Sequence, residues 1–383
     1  MIKKLFIVIL FLFTFGEIIR LDFGNGIFIK PLDIGVGLVV FLWLISKFMK
    51  RERIKQKYIY IPVLFFAGFG FFSLLINHSN LNINQFFISL MYLIRWVVYA
   101  GIFFVVLDFD KNYKKLTSKL LIIFGSAVVV LGYIQYFFYS NLRNLFYLGW
   151  DEHMYRMFSV FLDPNFAGAF FVLFFLFLAD IFLKKKSLMI GLLAFLTLGA
   201  VFLTFSRSAL IMLIVSSGML FVLQKKKIWI LLLLLITFVA LAISSRYFNI
   251  ENINLFRVVS SQARLETAKN AVSIISENSL IGVGFNSYRY AQFRHGFRNE
   301  SNIISHADAS SDNSFLFVLA TTGIVGFILY LFLWFRLIKI TSILASASVL
   351  GVFVSSMFIN SLFYPFIMLW LWIILALSIK NHN

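Results

Sequence analysis

Long apolar runs separated by short polar clusters recur along almost the whole chain, and a single long polar stretch interrupts them. A helix needs about 20 apolar residues to cross a bilayer. Runs of this kind predict membrane-spanning helices near 5–19, 31–48, 58–76, 85–108, 119–139, 164–183, 187–204, 209–223, 228–244, 313–335, 341–358 and 362–379. The expected architecture is all-α, a polytopic integral membrane helix bundle of about twelve transmembrane helices. No short repeat, sustained heptad or soluble domain stands apart, so 1–383 reads as a single transmembrane domain.

The interruption, residues 245–312, reads as one large loop that runs into the next span without a linker. Its first half, ARLETAKNAVSIISENSLIGVGFNSYRY, puts Leu265, Ala268, Val272 and Ile275 on one helical face and leaves Arg264, Glu266 and Lys269 to the others. An amphipathic helix on a membrane surface is expected there. The second half, SHADASSDNSFLFVLATTGIVGF, carries His306, Asp308, Asp312 and Asn313 to the mouth of a span. Titratable groups in such positions usually serve function.

Charge fixes the expected orientation. The formal charge of +18 could suit a nucleic acid partner, but the lysines sit in clusters between apolar runs, at 47–57, 111–119, 184–186 and 225–227, followed by Arg336 and Lys339. With the N-terminus inside, every cluster falls on the cytoplasmic side, which the positive-inside rule explains without nucleic acid. The opening MIKKLFIVILFLFTF reads as a first membrane helix, since no small-residue cleavage pattern precedes LDFGN. The large loop then lies outside.

Outward positive charge is almost all arginine: Arg20, Arg143, Arg156, Arg207, Arg246, Arg257, Arg264, Arg289, Arg294 and Arg298, against Lys30 and Lys269. Orientation needs only charge, whereas the planar fork of a guanidinium matches phosphate oxygens. Pairing with lipid head groups is the bland reading of any one of them. The asymmetry as a whole favours an anionic, phosphorylated external substrate. Cysteine is absent, which excludes a disulfide framework, a thiolate zinc site and a cysteine nucleophile.

Four constellations could carry chemistry. Arg207 lies in the short turn TFSRSALI among Thr204, Ser206 and Ser208, where it either snorkels to the interface or, with those hydroxyls, holds phosphate. Arg95 lies deeper, in SLMYLIRWVVYAGIF; a mid-span arginine costs about 3 kcal/mol and turns to the bundle interior or a wet cavity, unless it stacks between Tyr92 and Trp96. Asp163, Pro164 and Asn165 open a helix, with Asp163 suited to its cap. The fourth is the loop, where Gly282 and Gly284 suit a tight turn better than a phosphate cradle. No helical spacing presents His306, Asp308 and Asp312 together as metal ligands.

At these residues the chain resembles the O-antigen ligase and O-antigen polymerase family of bacterial envelope enzymes. The resemblance rests on LDPNFAGAFF at 162–171, TFSRSAL at 204–210, the Arg264 helix leading to LIGVGFNSY at 280–288, and DNSFLFVLATTGIVG at 312–326, in family order. It implies a metal-independent glycosyltransferase that needs no cofactor and sits in the bacterial cytoplasmic membrane, with its active site facing outside. The partners implied are an undecaprenyl diphosphate-linked oligosaccharide donor, a glycan or lipid-glycan acceptor and membrane lipids. Arg207 and Arg264 match the positions that would hold the diphosphate, with Arg95 a further candidate and Asp163, Asn165, Asn313 and Glu266 in support. Ligases of the family carry histidine where this chain has Asp312, while the following Asn313, Gly323 and Gly326 keep the ligase spacing. That departure favours a polymerase of surface polysaccharide repeat units over a ligase.

A base must then take the acceptor's proton. Asp312 is the first candidate, because partial burial at the membrane mouth would raise its pKa; His306 is the second, with an unperturbed pKa of about 6.5. Asp312 would also suit the cap of the following span. A lipid-linked oligosaccharide flippase would share the twelve spans and interior arginines, but related halves or paired broken helices, expected of transporters, are not evident.

Overall fold

The computed structural model describes residues 1–22, 28–148, 150–247, 259–299 and 309–379, with side chains left undescribed at 22, 146–148, 238–247 and 259–261. Among these, fourteen α-helices and one two-stranded antiparallel hairpin are present. The helices are α1 (Ile2–Phe13), α2 (Pro31–Met49), α3 (Lys57–Ile76), α4 (Ile83–Leu107), α5 (Lys111–Phe138), α6 (Pro164–Lys185) and α7 (Leu188–Leu203). They continue as α8 (Arg207–Leu223), α9 (Ile228–Tyr247), α10 (Val259–Glu277), α11 (Tyr288–Arg294), α12 (Ser314–Ile340), α13 (Ile343–Ser355) and α14 (Pro365–Leu377). The hairpin strands are β1 (Leu21–Asp22) and β2 (Phe28–Ile29).

Each of the twelve expected apolar segments coincides with a helix. Six of them, α2, α3, α4, α5, α6 and α12, are long and apolar enough to cross a membrane. Of the others, α1, α7, α8, α13 and α14 are shorter, with 12 to 17 residues. α1 has 12 residues, about 18 Å of helix against a hydrocarbon core of about 30 Å.

The bundle is organised around the two helices that are apolar on every side, as an interior helix must be. α6 buries a run from Ala167 to Asp180, and α14 is buried from Pro365 to Ala376. α14 packs against α4, α6 and α13; α6 packs against α7, α8 and α13. Phe170, Phe366 and Trp370 interlock with Phe13 of α1 and Phe161 at this centre, with ring centroids 5.1–6.2 Å apart. α2 and α5 bury far less of themselves and form the periphery.

Two elements depart from a simple bundle. α12 is broken at Gly323, whose φ of 61° and ψ of −171° stop the helix and restart it. Into that break runs the segment following α10. Val283 and Gly284 donate backbone hydrogen bonds to the carbonyls of Ala320 (2.9 Å) and Thr321 (3.1 Å), and Ile324 donates to Ser279 (2.8 Å). A Cβ on Gly282 would lie 2.5 Å from backbone atoms of Thr321 and Thr322; one on Gly323 would lie 2.3 Å from Leu280. Backbone therefore crosses backbone, which only glycine at both points permits. α3 clamps the crossing from the side: the Ser73 hydroxyl reaches the carbonyls of Ile281 (2.7 Å) and Thr321 (3.0 Å), and Asn77 Nδ2 donates to that of Gly282 (2.9 Å). Irregular backbone is tolerable here because the carbonyls of Ala320 and Thr321 and the N–H of Ile324, freed by the break, find protein partners.

α10 and α11 pack onto the N-terminal half of α12. Ala271 and Ile274 of α10, Val283, and Tyr288 and Ala291 of α11 form a small core with Phe317 and Ala320. Of the apolar face expected on α10, Ile275 packs against this core while Leu265 and Val272 remain 58% and 55% exposed. α10 docks on α12 through Ala271 and Ile274, adjacent to that face.

Candidate active site

The site grows from two turns. The first precedes α8. Arg156 is buried and its Nε donates to the Thr204 carbonyl at 2.9 Å, tying down the carbonyl end of α7. Phe205 takes a left-handed φ of 47°, so the chain reverses within a few residues. Ser206 caps α8 by accepting from the Ala209 N–H (3.4 Å). Arg207 becomes the first residue of the helix, a cation at the positive end of its dipole.

α6 fixes this turn from below. Asp163 caps α6, accepting from the N–H groups of Asn165 (2.6 Å) and Phe166 (3.3 Å), so its helix-start reading holds. Asn165 Oδ1 then accepts from the Ser206 hydroxyl at 2.9 Å, and that hydroxyl lies 3.0 Å from Ser208 Oγ. One turn further on, a Cβ on Gly168 would come within 2.6 Å of the Ala209 Cβ, so glycine is what allows α6 and α8 to meet here. In LDPNFAG, cap, tether and close approach thus fall on successive positions of one helix start.

The second turn begins α12. Asn313, not Asp312, is the cap: its Oδ1 accepts from the N–H groups of Phe315 (2.9 Å) and Leu316 (3.1 Å). Its Nδ2 donates to the Met357 carbonyl at 3.3 Å, which anchors the turn to the end of α13. The capping role considered for Asp312 is thereby overturned. Asp312 is half-buried and points to α10, where the Thr267 hydroxyl lies 3.4 Å from its Oδ2 and 3.0 Å from the Arg264 carbonyl. Asp312 thus meets α10 at Thr267, one helical turn after Arg264.

Arg207 and Arg264, 57 positions apart in sequence, lie within each other's field. Partial burial, and then the positive charge of Arg264, weaken the hold of Arg207 on its proton. Among the described residues Arg264 meets no carboxylate. Two cations and a helix N-terminus converge, an arrangement that favours a bound anion. Glu266 is exposed, on the turn before Thr267. His306 and Asp308 lie outside the described residues.

Arg95 belongs to a different environment. Its guanidinium pairs with Asp33 of α2 at 2.7 Å, donates to the Phe28 carbonyl at 3.0 Å and stacks over Tyr92 at 4.8 Å. Tyr99 donates to the other Asp33 oxygen at 2.7 Å, and Asp33 also accepts from the Lys30 N–H. Of the two stacking partners considered, Tyr92 is used; Trp96 packs instead on Phe66. Other cations expected to face outward are likewise engaged: Lys30 with Glu17 at 2.9 Å, Arg143 with Glu152, and Arg294 with the Asn80 carbonyl at 3.0 Å. The arginines read as external are thus partly architectural.

Sequence reasoning missed Ser73, Asn77 and Thr267, and saw only a turn in Gly282. The available signal was polar residues inside or beside apolar helices, which at such depth have a partner or a task.

An all-helical bundle with six helices fit to cross a bilayer is the framework of a multi-pass membrane protein. Within it, residues 192–331 match the family model described as O-antigen ligase, a stretch that runs from α7 through the break in α12 and includes Arg207, Arg264 and Asp312. The match supports the O-antigen ligase and polymerase family, and with it a glycosyltransferase-like membrane enzyme of the ligase or polymerase type. The LDPNFAG stretch lies before the matched residues. No curated protein matches the chain.

Proposed function

We propose that the protein polymerises undecaprenyl diphosphate-linked oligosaccharide repeat units on the external face of the bacterial cytoplasmic membrane. The observation that carries this reading is the meeting of Arg207 and Arg264 beside a carboxylate that has no capping duty. In this reading the chain crosses the membrane twelve times, with 245–312 outside. The two guanidinium groups bind the donor's diphosphate. As the bond between the anomeric carbon and the phosphate oxygen breaks, they stabilise the charge left on the leaving group, and no metal is required. The acceptor hydroxyl forms the new glycosidic bond and gives its proton to Asp312, which Thr267 holds toward α10. Aspartate in place of the ligase histidine favours polymerase over ligase.

The test is turnover by the purified chain in vesicles supplied with one lipid-linked repeat unit and no other protein. Elongated lipid-linked product with release of undecaprenyl diphosphate is expected. Passage of the intact repeat unit across the bilayer without any new glycosidic bond would instead establish a flippase.

A further inference from the structure

α3 and α12 pack side by side, and away from the loop their outer faces leave a groove. Its first section, about 410 Å³, lies among Lys57, Tyr58, Ile61, Phe65, Phe332 and Arg336. A second section of about 490 Å³ continues past the same Phe65 to Gly68, Phe72 and Leu329. Helix rise makes the distance from Lys57 to Phe72 about 22 Å, more than the roughly 15 Å depth of one leaflet's hydrocarbon. The groove is therefore long enough for a full acyl chain.

Its charge is concentrated at one end. The Arg336 guanidinium stacks over Tyr58 (4.5 Å) and Phe332 (5.4 Å). Stacking fixes the plane of the group and leaves its edge N–H donors directed outward. Neither Arg336 nor Lys57 meets a carboxylate among the described residues. At the same lysine-rich end Lys47 and Lys55 share Asp108 at 2.7 and 3.4 Å, Lys184 meets Asp180 at 2.6 Å and Lys3 meets Asp110, while Lys50, Lys111 and Lys339, like Lys57 and Arg336, meet no carboxylate among the described residues. What sets Lys57 and Arg336 apart is their place at the mouth of an apolar groove. The positive end of the α3 dipole adds to the same potential.

We propose that this groove is a binding site for one anionic phospholipid. Its phosphate lies between Lys57 and Arg336, and one acyl chain runs along α3 over Phe65 and Gly68 toward Phe72. A phosphate provides the oxygens that the forked guanidinium matches, and the orientation read from the lysine clusters places the site in the cytoplasmic leaflet, where anionic lipids favour basic pockets between helices. A bound lipid would also brace the inner half of α12 against α3, the helix whose outer end clamps the glycine crossing.

The experiment titrates the purified full chain in detergent with phosphatidylglycerol and, separately, with phosphatidylcholine of the same chains, reading lipid retention by native mass spectrometry and the melting temperature. Phosphatidylglycerol is expected to be retained and to raise the melting temperature; phosphatidylcholine is expected to do neither. Replacing both cations, Lys57→Gln with Arg336→Gln, should weaken retention about tenfold or more. Gly68→Leu tests the tail independently: nothing lies within 4 Å of a Cβ built there, so the side chain enters the groove and not the protein. That variant should keep its fold and lose retention with both cations intact. Equal retention of the two phospholipids, retention of undecaprenyl phosphate alone, or undiminished retention in Gly68→Leu would each overturn the proposal.

Discussion

Arg95 and Arg264 are both arginines at the edge of apolar structure, and they end in opposite circumstances. Arg95 has a carboxylate at 2.7 Å, a carbonyl, an aromatic face and a tyrosine that completes its acid partner. Arg264 meets no carboxylate among the described residues and lies in the field of Arg207. Depth in the membrane, which made Arg95 look functional, turns out to be a demand for compensation that the fold meets internally. The arginine that repels a neighbour is the better candidate for an external anion. Buried pairs are costly to break but contribute little net stability, whereas a cation without an acid partner beside another cation is open to an external anion.

The sharpest way to test the active pole of this comparison is the carboxylate beside it. Asp312→Asn removes a proton acceptor with little change of shape, and turnover per folded molecule should fall about a hundredfold to ten-thousandfold. His306→Gln should have the smaller effect; a reversed order would move the base into the loop. At the structural pole, Arg95→Leu leaves Asp33 buried without its cation and should cost about 3–5 kcal/mol of stability, measured by unfolding in detergent. Adding Asp33→Asn, which keeps an acceptor for the Lys30 N–H, should restore most of it. If Arg95→Leu were stable yet inactive, the contrast drawn here would collapse.

Arg207→Lys and Arg264→Lys keep charge but lose paired hydrogen bonds. Each should reduce turnover about tenfold to hundredfold at normal membrane levels. Undiminished turnover in both would remove the diphosphate role. The smallest effect is expected from Asn165→Ala, which unties α6 from Ser206 and should cost about 1 kcal/mol of stability, with less loss of turnover than either lysine variant.

Much of this was legible beforehand, for a physical reason. Apolar runs register burial or lipid directly, so the helices from 31–49 to 365–377 could be placed from periodicity and length. Asp163 could be read as a cap because capping is local: donor and acceptor are two or three residues apart. The Arg95–Asp33 pair could not, because its members are 62 positions apart. Nor could the choice of Asn313 over Asp312 as the cap of α12, since either side chain satisfies the local rule and the contact with Met357, 44 positions away, selects between them. Nor could the contact of α10 with α12: spacing picks out the face of Leu265, Ala268, Val272 and Ile275, but that Ala271 and Ile274 beside it pack on Phe317 and Ala320 depends on a helix distant in sequence.

The glycine crossing bears on how the molecule is made. Its bonds join Ser73 and Asn77 to partners 205–248 positions later, among the longest connections in the chain. Closing loops of that length is slow, because entropy is spent before the contacts repay it. During synthesis α3 leaves the ribosome long before α12 does, so the clamp must wait, with Ser73 and Asn77 already in place, until Gly323 arrives. Arg264 and Asp312 are held on either side of that junction. Catalytic competence is therefore expected to appear as one of the last events of folding: a chain stalled before α12 would have Arg207 in its turn but no docking surface for α10 and its Arg264.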